Sequence, residues 1–362
     1  MRRGILTLAA VGVLTAGSLT ACDAAGDAAG SQPRAKIGVI LPDSASSNRW
    51  ETADRKYLEA AFKAAGVEYD IQNAQNDKAR FVTIAEQMIT NGVTVLMITN
   101  LDSGTGKAVL DKATQRGVAT IDYDRPTLGG SAQYYVSFDN VAVGRMMGEG
   151  LVTCLADRGV RRPVIAELNG APTDNNAAQF KEGYDSVLKP KYAARQYVAG
   201  PDQDVPGWNN TTGGTIFEQM LTQTNGRIDG VVAANDGLAN AVISVLRKNK
   251  LNGRVPVTGQ DADAQALRHI LAGDQCMTVY KPIKAEAEAA ADLVIGLARG
   301  ERKKTEQRFH DPQGGRDVPA VLLGAEPITK DTVKNVIADG FVDKADVCTA
   351  EYAALCARAG IS

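Results

Sequence analysis

The chain is poor in the residues from which many enzyme and metal sites are built. Among 362 residues there are two histidines, five cysteines and two tryptophans, and aromatic residues make up 5%. No HExxH, GxSxG or CxxC spacing occurs; these would mark a zinc hydrolase, a serine nucleophile or a cysteine-bound metal. His269 lies beside Arg268 in a helical pattern and His310 follows a charged stretch, and neither neighbours a nucleophile in sequence. Gly104-Thr105-Gly106-Lys107 imitates a phosphate-binding loop, but Leu101 stands at its first glycine position and Ala108 at its serine/threonine position, so the motif fails. An excess of positive charge is also missing. Forty Lys and Arg against 42 Asp and Glu give a net charge of −2, which argues against nucleic acid as partner. Beyond the first residues, no apolar run reaches the ~20 residues of a membrane-spanning helix.

The N-terminus carries a different message. Arg2 and Arg3 precede an apolar stretch from Ile5 to Leu14, then small residues and Leu19-Thr20-Ala21-Cys22. A basic start, a short apolar core and a small residue before the cut describe a secretory signal. A cysteine placed to become the first mature residue matches a bacterial lipobox. Residues 1–21 are therefore expected to be a lipoprotein signal peptide, Cys22 the lipidated residue, and 22–35 a small, polar, flexible tether. The mature protein is expected on the outer face of the cytoplasmic membrane. Four cysteines remain, Cys154, Cys276, Cys348 and Cys356, and an exported chain permits disulfides. Three pairings are open. Cys348 and Cys356 bracket a short helical patch and are candidates for a bridge; Cys154 and Cys276 suit buried free thiols equally well.

The body alternates β-branched runs with amphipathic helices. Strands are expected at 36–41, 67–72, 93–99 and 118–123, with helix faces between them such as Trp50, Ala53, Tyr57 and Ala61. The pattern restarts after residue 127, with further strands at 134–138, 164–168, 195–198, 228–234, 255–258 and 277–280. Strand–helix alternation with short connections predicts mainly parallel sheets covered on both faces, and about 327 residues suit two such lobes. The fold class is thus α/β, two doubly wound parallel-sheet lobes. In such sheets ligands lie beyond the carboxyl ends of the strands.

The residues just after those strands are Asp124-Arg125, Asp174-Asn175-Asn176, Asn235-Asp236, Asp261 and Lys281, with Arg49-Trp50 near the first strand and Trp208 in a loop. Carboxylates, amides and cations of this kind can satisfy the donor–acceptor hydroxyls of a neutral polyol, and an indole can cover the apolar face of a sugar ring. Any one of them could equally be a helix cap or an ion pair; Asp174 or Asn175, and Asp236, stand where caps would.

Several segments together resemble the periplasmic binding proteins of sugar ABC transporters, the group related to ribose receptors, and within it the xylose-binding branch. They are Tyr135-Val136-Ser137-Phe138-Asp139-Asn140, Pro172-Thr173-Asp174-Asn175-Asn176-Ala177, Val231-Val232-Ala233-Ala234-Asn235-Asp236, Gly259-Gln260-Asp261-Ala262-Asp263 and Met277-Thr278-Val279-Tyr280-Lys281-Pro282. The resemblance implies a hinged two-lobe type I fold and no enzymatic activity or cofactor. It implies a monomer that takes up a monosaccharide, D-xylose first and glucose, ribose or another pentose next, and hands it to a membrane permease. Arg49, Asp124 and Arg125 would bind from the first lobe, Asp174, Asn176, Asn235, Asp261 and Lys281 from the second or its hinge edge, and Trp50 and Trp208 would cover the ring. The lobes implied are 36–126 with 283–307 and 127–282 with 308–346, followed by a tail at 347–362. Two departures stand out: Ser44 to Asn48 lacks the family's charged approach to Arg49-Trp50, and the tail with Cys348 and Cys356 resembles an addition. A sensory partner in place of the permease, or a carbohydrate-active enzyme using Asp124 and Asp261 as its carboxylates, are the competing readings. The lipobox has a direct test: Cys22→Ser is expected to move the protein from the membrane to the soluble fraction when expressing cells are fractionated, and continued sedimentation with membranes would refute the anchor.

Overall fold

A computed structural model describes residues 35–361; the signal, Cys22 and all but the last residue of the tether lie outside the described residues. The first lobe opens with β1 (Lys36–Leu41), α1 (Arg55–Ala65), β2 (Glu68–Asn73), α2 (Lys78–Thr90), β3 (Val95–Ile98), α3 (Ser103–Gln115), β4 (Ala119–Tyr123) and β5 (Tyr134–Phe138). The second contains α4 (Asn140–Asp157), β6 (Val164–Asn169), α5 (Asn175–Ala193), β7 (Val198–Asp204), α6 (Asn210–Gln223), β8 (Gly230–Ala233), α7 (Asp236–Lys248), β9 (Val257–Thr258), α8 (Ala264–Ala272) and β10 (Thr278–Tyr280). The chain then returns through α9 (Ile283–Ala298), β11 (Gln307–Asp311) and β12 (Arg316–Leu323), and ends with β13 (Glu326–Ile328), α10 (Val333–Ala338), α11 (Lys344–Val347) and α12 (Ala353–Arg358).

Period-two alternation in β1 builds the first lobe. Ile37, Val39 and Leu41 face one core with Leu58 and Phe62 of α1 and Ala287, Ala290 and Val294 of α9. Ile40 faces the opposite core with Phe81, Ile84 and Met88 of α2 and Val109 and Leu110 of α3. Each such side chain contributes about 1.5–3 kcal/mol by leaving water, and a sheet buried on both faces needs strands that are apolar throughout. The order of this sheet is β11-β12-β5-β4-β3-β1-β2, parallel except for the β11–β12 hairpin at its edge. The second lobe has a parallel sheet ordered β7-β6-β8-β9, with a parallel bridge from Thr258 to Met277 that leads into the antiparallel pair β10–β13.

The lobe boundaries implied by the resemblance therefore move. β5, β11 and β12 belong to the first sheet, not the second, so the chain crosses after Phe138, between Tyr280 and Ile283, and between Leu323 and Glu326. The Asp139 amide donates to the Leu323 carbonyl at 3.0 Å, fastening two of these crossings together. A strand such as Tyr-Tyr-Val-Ser-Phe, buried at every position, suits either sheet, and only its pairing with β4 decides. The tail is also more than an appendage: Val347, Cys356 and Ile361 share a core with Leu267, Ile270 and Leu271 of α8. Cys348 pairs with Cys356, and Cys154 with Cys276, which ties α4 to the segment just before β10. The seventh strand starts later than expected because α5 runs on to Ala193, through Pro190.

Candidate ligand-binding site

The carboxyl ends of the strands meet between the lobes. All ten residues that the resemblance assigns to the ligand (Arg49, Trp50, Asp124, Arg125, Asp174, Asn176, Trp208, Asn235, Asp261 and Lys281) line one cavity of about 30 Å³, together with Ser46, Ser47, Phe180 and Gln260, while Asn175 and Asp236 stand outside its wall. That is far below the roughly 300–1,000 Å³ usual for small-molecule sites, so the walls must part to admit a ligand.

Arg49 organises the first-lobe wall. It precedes a wide, π-like turn at Trp50–Asp54 that leads into α1, a distortion often found at functional positions. Its guanidinium grips Asp54 with two bonds of 2.9 and 2.7 Å, reaches Asp124 at 2.9 Å and Glu286 of α9 at 2.6 Å. Tyr123 donates to Asp54 at 2.6 Å. Burial opposes the charge on Arg49, but Asp54, Glu286 and Asp124 outweigh it and raise its pKa further. Burial likewise pushes Asp124 up, yet Arg49, Lys281 and Arg125 hold it below the ordinary carboxylate range. Glu286, fully buried, is driven well up by burial despite Arg49. The Arg49 guanidinium also lies 4.4 Å from the Trp50 ring centroid, and that of Arg125 5.5 Å from it, so the indole is held between charge and cavity.

The second-lobe wall is made of helix N-termini. Asp174 caps α5 by accepting from the Asn176 amide at 2.9 Å, and its other oxygen accepts from Trp208 Nε1 at 3.0 Å and pairs with Arg125 Nε at 2.9 Å. Burial raises its pKa, with Arg125 offsetting only part. Asn235 caps α7 through its oxygen, accepting from the Leu238 amide at 2.9 Å, while its Nδ2 points at the Ser46 carbonyl at 3.4 Å. Asp236, which stands where a cap was conceivable, is instead buried in the first turn of α7. Lys281 pairs with Asp261 at 2.8 Å and lies 5.7 Å from the rings of both Phe138 and Phe180. Trp208 lies against Gly170, where a Cβ would come within 2.1 Å of the indole; only glycine admits the ring there.

The lobes are in direct contact across the cavity. Asn176 Nδ2 donates to the Asp124 carbonyl and carboxylate at 2.9 and 3.1 Å, and Asn175 Nδ2 to the Pro126 carbonyl and Ser103 Oγ at 2.9 and 2.7 Å. Trp50 Nε1, Asn176 Oδ1 and Gln260 Oε1 have no hydrogen-bond partner in the protein. One donor and two acceptors, all buried, suit a ligand bearing hydroxyl groups.

The four lining residues not singled out are explicable. Ser46 and Ser47 lie on a loop folded by Asp43, whose Oδ1 accepts from the amides of Ala45 and Ser46 at 2.8 and 2.6 Å; the Asp-x-x-Ser spacing was the available signal. Phe180 lies on an apolar face of α5 that reads as ordinary core. Gln260 precedes Asp261 in a quoted segment but offered no distinguishing pattern.

Residues 37–302 match the periplasmic binding protein domain. The chain is 34% identical over 307 residues, 84% of its length and 90% of the relative's, to the D-xylose-binding periplasmic protein of Escherichia coli. It is 32% identical over 313 residues, 86% and 92% of the two lengths, to the D-xylose-binding periplasmic protein of Haemophilus influenzae. The chain belongs to the periplasmic binding protein family. Among solved structures it is similar to a carbohydrate transporter solute-binding protein from Chloroflexus aurantiacus in complex with D-glucose, at a TM-score of 0.78 and 27% identity over 86% of this chain and 97% of that one. The two-lobed architecture is the type I periplasmic binding protein fold, and this member is a binding protein, not an enzyme. Among the described residues no three His, Cys, Asp or Glu side chains gather to hold a metal ion, and no helix is long and apolar enough to cross a membrane.

The Arg49 cluster sets a stability prediction. Asp54→Ala removes both bonds to one edge of a buried guanidinium and is expected to cost about 3–5 kcal/mol in urea unfolding; a loss below about 1 kcal/mol, the worth of an exposed pair, would show that the cluster is solvated.

Proposed function

We propose that this protein captures a monosaccharide outside the cytoplasm by closure of its two lobes and delivers it to an ABC-transporter permease, with Cys22 as its membrane anchor. The observation that carries the reading is a small cavity lined from both lobes by paired carboxylates, amides, cations and two indoles. The pairs within the wall neutralise one another, so a neutral ligand need bring no charge. Contacts from both lobes to one sugar give the closed form the differential affinity that closure requires.

D-xylose is the proposed sugar. Two relatives bear that name, and side chains filling the space of a hydroxymethyl group would disfavour hexoses, while a wrong hydroxyl would leave a buried polar group unpaired. The Chloroflexus structure in complex with D-glucose makes glucose the first competitor. Ser46, Ser47, Phe180 and Gln260 join the ten proposed contacts, Gln260 through its unpartnered Oε1.

Titration calorimetry with D-xylose, D-glucose, D-ribose and L-arabinose is expected to give the tightest binding for D-xylose. Both tryptophans of the chain line the cavity, so indole fluorescence should follow the same order. No heat with any aldose would remove the function; a tighter hexose would change only the sugar. Asp261→Ala is expected to weaken binding by about 2–4 kcal/mol, because Lys281 and a ligand hydroxyl lose a buried charged partner; parental affinity in that variant would show that Asp261 is not a contact.

A further inference from the structure

The loop from Gly259 to Asp263 carries two cavity residues, Gln260 and Asp261, in an unusual backbone. Asp261 has φ 106° and Ala262 φ 57°, a region that residues other than glycine rarely occupy and that persists only where surrounding structure enforces it. Main-chain bonds hold part of the loop, the Asp261 amide donating to the Val279 carbonyl at 2.9 Å and the Val279 amide to the Gly259 carbonyl at 3.1 Å; the side chain that holds the rest is Asp236. Its side chain is 1% exposed and is absent from the cavity wall. Asp236 Oδ2 accepts from the Asp263 amide at 3.2 Å, and Oδ1 accepts from Gln275 Nε2 at 2.8 Å. The Thr278 hydroxyl lies 2.9 Å from both oxygens and accepts from the Ala262 amide at 3.4 Å. On the main chain, the Asp236 amide donates to the Gln260 carbonyl at 2.9 Å. A Cβ at position 259 would lie 2.2 Å from Asp236 Oδ1, so Gly259 is what lets the carboxylate sit against this backbone. Every peptide flanking the strained pair is thus tied directly, or through one hydroxyl, to a single residue.

We propose that Asp236 is a positioning residue, which sets the affinity and sugar preference of the site by fixing Asp261 without touching the ligand. The proposal rests on the reading of the cavity as a sugar site. Loss of the Asp236 side chain would free the Asp263 amide and the Thr278 hydroxyl that holds the Ala262 amide, let the loop relax toward ordinary backbone angles and turn the Asp261 carboxylate away from the cavity; Gln260 keeps its main-chain bond to residue 236 and its own Nε2 bond to the Ala234 carbonyl at 3.1 Å.

The test uses the whole exported chain, the preferred sugar of the panel and its next-best competitor, with Asp236→Ala, Thr278→Val and Asp261→Ala measured singly and Asp236→Ala combined with Asp261→Ala. Asp236→Ala is expected to raise Kd about tenfold or more, a factor equal to about 1.4 kcal/mol, and to shrink the ratio between the two sugars. Thr278→Val keeps the side-chain shape and removes only the bridging hydroxyl. It is expected to move both quantities the same way by a smaller factor, and it carries the test if Asp236→Ala does not fold. Adding Asp236→Ala to Asp261→Ala is expected to change Kd by less than about twofold, since residues acting through one another are not additive. A general loss of structure would instead lower thermal stability and add its full effect in the double variant, which overturns the proposal. If Asp261→Ala weakens binding while folded Asp236→Ala or Thr278→Val leaves affinity and sugar ratio at parental values, the positioning role alone falls. If Asp261→Ala itself binds as the parent does, Asp261 is no ligand contact and the proposal falls with that assignment.

Discussion

The structure turns on one buried cation. Arg49 sits among Asp54, Asp124 and Glu286, which come from the turn before α1, the end of β4 and the helix that returns from the second lobe. Such clusters add little net stability, because desolvation of the charges consumes most of the Coulombic gain. Their strength is directional. A planar guanidinium with fixed donor directions can satisfy three carboxylates in only one arrangement, so Arg49 fixes where Asp124 points and fastens α9 to the wall of the cavity. Glu286 lies five residues beyond Lys281, so the same cluster also anchors the first-lobe side of the middle crossing. A site held this firmly before ligand arrives loses less ordering entropy on binding.

The second lobe reaches the same end by another route. Two of its cavity residues are helix caps used twice: Asp174 gives one oxygen to α5 and the other to Trp208 and Arg125, and Asn235 gives its oxygen to α7 and its amide to Ser46. Capping and binding are therefore not rival explanations of these residues. A cap has its side chain fixed by the helix, and that fixation leaves the second polar atom aimed outward in a known direction. The bond budget of Asn176 is divided the same way, its Nδ2 engaged with Asp124 across the cleft and its Oδ1 left over.

How far the sequence went follows from these two devices. Alternating strands and helices are local patterns, and so are polar residues at strand ends; both were legible, but the strand-end pattern also marked Asn175 and Asp236, which lie off the cavity wall, and it was the family resemblance that selected the ten residues that meet there. Sheet membership was not, because it depends on pairing between distant segments: nothing in Tyr134–Phe138 says that it lies beside β4 rather than in the other lobe. Gln260 and Phe180 were missed for opposite reasons. Gln260 owes its place to a backbone that its own residue type does not signal, while Phe180 looks like core because one edge of it is core. The pairing of Cys154 with Cys276 joins segments 122 residues apart, beyond the reach of any local pattern. Asp236 looked like a possible cap, and only the coordinates separate its role from that of Asn235 beside it.

Of the ten non-glycine residues with positive φ among the described residues, four lie at the cavity surface. Asp124 at φ 65°, Trp208 at 56°, Asp261 at 106° and Ala262 at 57° all stand in the left-handed region, three of them on the cavity wall and the fourth adjacent to it. At about 1–3 kcal/mol for each such residue, these conformations would not survive unless other contacts compensated for them. The compensation is visible in each case: Asp124 is held by Arg49 and Asn176, Trp208 by Asp174 and the bare face of Gly170, and the Asp261 pair by Asp236. The strained residues come from both lobes, and two of the restraints cross between them: Asn176 reaches Asp124, and Asp174, which holds Trp208, also pairs with Arg125. Opening the lobes would break both links, leaving Asp124 to Arg49 and to the first-lobe bonds that Tyr135, Ser137 and Val136 make with its main chain, and leaving Asp174 to Trp208 and its own helix. If the lobes close on a ligand as proposed, closure and wall geometry are one equilibrium, and a ligand that stabilises either stabilises the other.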